Sequence, residues 1–385
     1  MNAGWKEIPL GKLCKVQSGS SNTQDAVSDG AYMFFDRSKT PKRSGQYLFD
    51  CEALIVAGEG AEFRPKRFNG KFDLHQRAYA IHGFGNHLLG DYLFYYLEYV
   101  HEYFQSVAVG ATVKSLRQRH FDNLPVIVAP VEEQRRIVAV LDEAFAAIDT
   151  AIANAEKNLA NARDLFEACV RETFASADQS WALLTLKEAA IDFGRGKSKH
   201  RPRNDPKLYG GEYPFIQTGD VRNCDHLITE YSQTYSAAGL AQSKLWPNGT
   251  ICITIAANIA ETGILNFDAC FPDSVIGMVV DPARTSNSYV EYLLQSLKAV
   301  LQSKGKGSAQ ANINLATFEN ERFPFPPKDV QMAIVARLGA LSQQVQAMEA
   351  LYADRLISLD ALKQSILHRT FTGELTAAMP GSIAA

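Results

Sequence analysis

The chain has 385 residues, 46% of them hydrophobic, and a formal net charge of −3. That is enough apolar material for two domains with separate cores, but no bulk charge draws the chain to nucleic acid, so any DNA-binding face must come from local basic patches. The six cysteines (Cys14, Cys51, Cys169, Cys224, Cys252, Cys270) form no Cys-x-x-Cys pair and have no accompanying histidine cluster, which argues against zinc and for reduced thiols in a cytoplasmic protein.

The start of the chain, Met1 to Glu7, lacks the apolar stretch of a signal peptide, and apolar runs such as Val275–Val280 are too short to cross a bilayer. No membrane partner is expected. Residues 1–130 read as a mixed α/β domain. Short β-type runs at Tyr32–Phe35, Ala53–Ala57 and Tyr79–His82 precede a helix near Leu88–Phe104. Basic and amide residues gather in what read as its loops: Arg37, Lys39, Lys42 and Arg43; then Arg64, Lys66 and Arg67; then Gln76 and Arg77; then Lys114 and Arg117.

Residues 131–176 read as one long helix. Apolar residues recur at steps of three and four, from Ile137, Leu141 and Ala144 through Ile148, Ile152 and Ala155 to Phe166 and Cys169. No proline interrupts them, and Pro130 stands just before, as a helix start should have it. Residues 177–327 form a second α/β domain, with β-type runs at Thr250–Thr254 and Val275–Val280 and a helix near Ser288–Gln302. Its basic and amide groups are Arg195, Lys197, Lys199, Arg201 and Arg203, then Gln217, Thr218, Arg222 and Asn223, then Lys304 and Lys306. Only Asp205 offsets the run from Arg195 to Lys207. A second long helix follows Pro327 over 328–375, with Ile334, Leu338, Leu341, Val345 and Met348 in its stripe and Asp329 as its expected N-cap. A flexible tail over 376–385 ends the chain.

The two long helices belong to an internal repeat. Pro130 to Leu141 matches Pro327 to Leu338 at an offset of 197 residues (Gln134 to Gln331), and the same offset pairs Phe121 with Phe318 and Phe174 with Phe371. Upstream the match loosens to an offset of 176 (Trp5 to Trp181), so the second variable part carries insertions. The expected fold class is α+β: two mixed α/β domains separated by two long antiparallel coiled-coil helices, with a pseudo-two-fold repeat. At roughly 1.5 Å per residue each helix would span about 65 Å, close to two turns of B-DNA at roughly 34 Å each.

A single basic loop is usually a solvated loop. Recurrence of such loops in both copies favours contact with DNA, where Arg and Lys neutralise phosphates and Arg, Gln and Asn can read base edges. The alternative is a coiled-coil scaffold that joins partner proteins without touching DNA. No catalytic role is expected. Gly194-Arg195-Gly196-Lys197-Ser198 resembles the end of a phosphate-binding loop, but Ile191 stands where that motif needs its first glycine. Pro326-Pro327 lacks the preceding Asn or Asp and the following aromatic of an adenine-methyltransferase motif.

Taken together, the repeat, the paired Pro-x-x-x-Gln-x-x-Ile-Val-x-x-Leu segments and the helix endings Arg171-Glu172-Thr173-Phe174 and His368-Arg369-Thr370-Phe371 carry a family likeness. The chain resembles the specificity subunit of Type I restriction–modification systems over nearly its full length. Gly58-Glu59-Gly60 with Phe72–Arg77, and Gly211 to Val221, look like parts of two different target-recognition types. The resemblance implies that each α/β domain reads one half of a gapped, asymmetric site in double-stranded DNA. It implies that the helices set the gap and dock two methyltransferase subunits, and it allows two restriction/translocase subunits besides. No cofactor is expected on this chain itself: S-adenosylmethionine would lie in the methyltransferase partner, and ATP and Mg in a restriction partner.

Overall fold

The computed structural model describes residues 4–60, 62–175, 180–200, 202–256, 259–306, 318 and 320–377. The chain forms two compact units, Met1–Glu156 with Tyr352–Ala385, and Lys157–Leu351.

The first unit contains β1 (Lys6–Pro9), β2 (Lys15–Ser18), β3 (Tyr32–Phe35), β4 (Lys42–Ser44), β5 (Phe49–Ala57), β6 (Lys66–Leu74), β7 (Ala78–His82) and β8 (Pro125–Val128). Six strands make one sheet in the order β2-β7-β5-β6-β3-β4, antiparallel throughout except that β3 runs parallel to β6. The second half of strand β5, Ala53–Ala57, is a continuous apolar run because both of its faces are covered. Leu54 and Val56 enter a core shared with the helical side, while Ala53 and Ile55 enter a second cluster with Phe35, Phe49 and Phe72. The helix expected near Leu88–Phe104 is two helices, α1 (Gly90–Tyr99) and α2 (His101–Val107), broken at Val100 where ψ is 16°. A short α3 (Gln118–Asp122) and the 45-residue α4 (Val131–Ala175) complete the first half.

The second unit contains β9 (Ala182–Leu184), β10 (Ala190–Arg195), β11 (Tyr209–Phe215), β12 (Leu227–Ile228), β13 (Gln233–Tyr235), β14 (Ile251–Thr254), β15 (Thr262–Leu265), β16 (Val275–Val280) and β17 (Phe323–Phe325). Its five-stranded sheet has the order β10-β16-β14-β15-β12, with β12 parallel to β15. That reproduces the first sheet's order and its one parallel neighbour. The helices are α5 (Thr218–Asn223), α6 (Ala237–Ala241), α7 (Asn287–Lys306), the 44-residue α8 (Lys328–Phe371) and α9 (Glu374–Ala377). Asp329 lies inside the first turn of α8 rather than capping it. Its charge there still opposes the helix macrodipole favourably.

The repeat is repeated in hydrogen bonds as well as residues. Gln134, fully buried, donates to the carbonyls of His87 and Ala129 (both 2.8 Å) and accepts from the Leu89 amide at 2.9 Å. Gln331 donates to the carbonyls of Arg284 and Pro326 (both 2.9 Å) and accepts from Thr285 Oγ1 at 2.8 Å. Tyr92 and Tyr289 each donate to a strand carbonyl, Ile127 and Pro324, at 2.8 and 2.7 Å. Each glutamine therefore ties the start of a long helix to the loop ahead of the domain helix and to the end of a strand. Buried amides of this kind are held because leaving their partners unpaired is costly.

The aromatic helix endings cross over between copies. In the first unit, Phe371 of α8 packs on Tyr92, Tyr96 and Tyr99 of α1 at ring separations of 5.5, 5.1 and 5.4 Å. In the second, Phe174 of α4 packs on Tyr289 of α7 at 5.7 Å. Each α/β domain is thus closed by the end of the other copy's helix. Within the second unit α4 and α8 are antiparallel: Arg163 meets Glu349 at 2.5 Å and, further along α4, Thr173 meets the earlier Arg337 at 2.5 Å. The expected stripe is the buried one, with Ile137, Leu141, Ile148, Ala155 and Ala162 inside, although Met348 is 39% exposed.

Candidate nucleic-acid interface

In the first unit four chain segments converge at one end of the six-stranded sheet. The backbone joins them: the His75 amide donates to the Phe35 carbonyl, Gly58 to Arg77, Leu116 to Gly58 and Gly60 to Lys114, all within 2.7–3.1 Å. Gly58 is required for this approach, since a Cβ there would stand 2.5 Å from the Arg77 carbonyl oxygen. The segments enclose a groove of about 240 Å³ lined by Thr23, Asp36, Arg37, Glu59, His75, Gln76 and Arg77. Arg37, Gln76, Arg77, Lys114 and Arg117 are exposed around it. Arg77 pairs with Glu59, and Gln76 donates to Asn22 at 2.5 Å. Burial holds the His75 ring below its ordinary pKa, favouring the neutral form, and its Nδ1 accepts from the Arg77 amide at 3.1 Å. Arg37 and Gln76 therefore share a rim although 39 residues of chain separate them.

The remaining basic residues of this domain sit differently. Lys42 and Arg43 lie on strand β4, and Lys66 and Arg67 on β6, rather than in loops. The register of β6 against the nine-residue β5 holds them there, through pairs from Phe49–Phe72 to Ile55–Lys66. Lys66 Nζ donates to the Ser38 and Lys39 carbonyls at 2.6 and 2.9 Å, fixing the loop that presents Arg37 and the exposed Lys39. Lys42 pairs with Asp36 at 2.7 Å. Burial works against the Asp36 charge, but hydrogen bonds from Lys42 and Ser38 outweigh it and hold the carboxyl below its usual range. Arg64 pairs with Glu98 at 2.6 Å, and Arg67 pairs with Asp91 at 2.7 Å with its guanidinium over Phe94. Both line a second groove, walled by Asp142, Phe145 and Lys363 of the long helices.

In the second unit the run after β10 is an ordered loop. No helix opens at Ser198, so the phosphate-loop geometry is absent from these described residues. Gly196 lets the loop leave the sheet, because a Cβ there would stand 2.2 Å from the Phe271 carbonyl oxygen. Asp205, expected only to offset the charge, organises the loop. It caps the turn at Pro206–Leu208, and its carboxylate meets His200 Nε2 at 2.8 Å and Lys207 Nζ at 3.1 Å. Hydrogen bonds from the Lys207 side chain and backbone hold that carboxyl below its usual range. Arg195, Lys197 and Lys199 are exposed, and Arg203 donates to both carboxylate oxygens of Asp273 at 3.0 Å. Arg201 falls outside the described residues, as do the side chains of Lys304 and Lys306. Gln217 begins helix α5 with its amide on Asp220 at 2.7 Å and its side chain on Gln233 at 2.8 Å. Thr218, Arg222 and Asn223 are thus helical, not loop, residues.

Two buried constellations were not anticipated. Asp73, 1% exposed, accepts hydrogen bonds from Ser21 and Ser44 at 2.8–2.9 Å, just ahead of the segment that carries His75 to Arg77. In the second unit His226, at a left-handed φ of 61°, meets the buried Glu291 at 2.7 Å. Glu291 also accepts from Thr262 at 3.1 Å and from Gln295. The Glu291 hydrogen bond raises the His226 pKa above its ordinary value. Asp73 was visible in the sequence only as part of the Phe72–Arg77 segment; nothing local singles out His226.

Comparison with known proteins decides what these two frames belong to. The family model described as "Type I restriction modification DNA specificity domain" matches residues 2–159 and 181–353. The chain belongs to the Type I restriction–modification specificity family. As a member it is a non-catalytic DNA-recognition subunit that binds no cofactor of its own. It is 23% identical to the Type I restriction enzyme EcoDI specificity subunit of Escherichia coli, over 97% of this chain and 89% of that one. It is 21% identical to the putative MjaX specificity subunit of Methanocaldococcus jannaschii, over 73% and 68%. Among solved structures, a chain from work on complex assembly and conformational transition of the type I R-M system has the same fold at a TM-score of 0.73 and 19% identity, covering 97% of this chain and 99% of that chain. The HsdS subunit of Thermoanaerobacter tengcongensis follows at 0.53 and 19%, covering 97% and 98%. Among the described residues no helix is long and apolar enough to cross a membrane.

Proposed function

We propose that this specificity subunit recognises a gapped, asymmetric site in double-stranded DNA, with recognition domains at 1–130 and 177–327 each reading one half. The observation that carries this reading is that one repeated frame bears two unlike sets of exposed basic and amide residues. Arg37, Gln76, Arg77, Lys114 and Arg117 belong to one set, and Arg195, Lys197, Lys199, Arg222 and Asn223 to the other. Two unlike reading surfaces fit two unlike half-sites. Arg201, Lys304 and Lys306 join the second set by sequence. The spacer segments, 131–176 and 328–375, set the gap through α4 and α8.

The same helices dock two adenine methyltransferase subunits. Leu165 and Leu362 support this: they are equivalent at the 197-residue offset and are 60% and 46% exposed. Two equivalent apolar positions suit two copies of one partner. S-adenosylmethionine binds in that partner, which flips the target adenine from the duplex. ATP and Mg serve restriction/translocase subunits where these join, and the complex works in the cytoplasm.

The test is a methylome. The chain is co-expressed with its methyltransferase in a methylation-free host, and the DNA is sequenced for N6-methyladenine. A single split motif with unlike halves is the expected result. A stable complex that adds no methylation would favour the scaffold reading, which Leu165 and Leu362 would serve equally well.

A further inference from the structure

The segment Val109–Lys114 is exposed at every residue, yet its base is fixed. Val109 and Ser115 exchange both backbone hydrogen bonds, at 3.0 and 2.8 Å, and the Gly60 amide holds the Lys114 carbonyl at 3.1 Å. On either side Ala108 and Leu116 are buried, at 6% and 2% exposure. Gly110 turns the tip at φ +131°, and a Cβ there would stand 2.1 Å from the Val113 carbonyl oxygen. The result is a short finger with a clamped base.

The tip is apolar. Val109 and Val113 are 43% and 47% exposed, and Val109 through Lys114 include no acidic residue. A single exposed valine needs no explanation. Two exposed valines on one clamped turn, hydrogen-bonded to the Gly58–Gly60 segment that in turn holds the Arg77 carbonyl, and flanked by Lys114 and Arg117, are a different matter. The basic groups draw a phosphate backbone to this edge, and the exposed apolar side of the finger is then the part that can meet base edges. In the major groove the apolar feature that distinguishes bases is the thymine 5-methyl group. Because the base of the loop is already fixed, little ordering entropy is lost on contact.

We infer that the Val109–Lys114 finger is a specificity element of the first recognition domain, with Val109 and Val113 packing on a thymine methyl group in its half-site. This rests on the DNA-reading role proposed above. Every half-site that contains a target adenine contains a thymine on one strand, so the element always has a candidate partner.

The test uses the purified complex with its methyltransferase. Duplexes carrying the methylome-defined site are prepared with each thymine replaced in turn by deoxyuridine, which removes only the methyl group, and binding is followed by fluorescence anisotropy. The wild-type complex is expected to lose about fourfold in affinity at one position of one half-site, the worth of one buried methyl group. The Val109→Ser/Val113→Ser complex, altered only at exposed positions and stripped of the branched methyl groups, is expected to bind thymine and deoxyuridine alike there. A wild-type complex indifferent to every replacement, or a variant that keeps the wild-type discrimination, would overturn the inference while leaving DNA reading intact. Failure of the wild-type complex to bind the unmodified duplex would overturn both.

Discussion

The two recognition domains share a frame and differ at its rim. Both sheets place strands in the same order with one parallel neighbour, and both are pinned by a buried glutamine 197 residues apart. Their exposed edges are built differently. The first rim is assembled from four distant segments joined by backbone hydrogen bonds, with Lys66 bracing one of them. The second uses one basic loop folded around Asp205 and a separate short helix, α5, that carries Thr218, Arg222 and Asn223. The common parts are those where the chain meets itself, and the divergent parts are those left for another molecule. A fold that keeps its joints while exchanging its edges can change sequence preference without losing assembly.

Changes in the shared frame should have the largest effects. Adding one heptad to both α4 and α8 lengthens each by roughly 10 Å and is expected to change the gap between half-sites by about three base pairs, at roughly 3.4 Å each. A methylome with an unchanged gap would remove the helices from that role. Gln134→Ala and Gln331→Ala each strand buried backbone groups and should cost about 2–4 kcal/mol. Chemical denaturation of the two variants should show losses of similar size, since each staple holds two backbone carbonyls and accepts one hydrogen bond. A large asymmetry would mean that the frames are not equivalent.

Changes at the rims should affect recognition instead. Arg37→Ala with Arg77→Ala is expected to weaken DNA binding and lower its salt dependence by about one unit of slope per lost phosphate contact. Arg64→Ala, which removes a partner of Glu98, should leave that slope unchanged and cost only about 0.2–1 kcal/mol of stability. If the Arg64 variant behaved like the Arg37/Arg77 variant, the assignment of the two grooves would be reversed. Asp205→Ala should relax the half-site read by the second domain and spare the first, as read by methylome.

The smallest expected effect is a pH dependence confined to the second unit. The His226 pKa is raised in the folded state, chiefly by the hydrogen bond to Glu291. Its contribution to stability is therefore fully present below the unfolded value, about 6.5, and is lost as pH rises through the higher folded value. Denaturation midpoints should fall over that interval, and His226→Gln should flatten the fall. An unchanged profile in the variant would assign the dependence elsewhere.

The sequence alone determined the features written in consecutive residues. The apolar periods specified two uninterrupted helices, Pro130 and Pro327 marked where they begin, and the 197-residue offset already equated Gln134 with Gln331. Runs such as Val275–Val280 were legible as strands because a sheet covered on both faces demands unbroken apolar residues. Only the tertiary structure decided which charges act together. Arg37 and Arg77 share a rim through backbone hydrogen bonds between remote segments, whereas Arg64 and Arg67, between them in the chain, turn to carboxylates on α1. It also decided that Phe174 and Phe371 each close the other copy's domain. A helix period states that an apolar face needs a partner; which partner covers it depends on where the chain returns, and that is settled only by long-range packing.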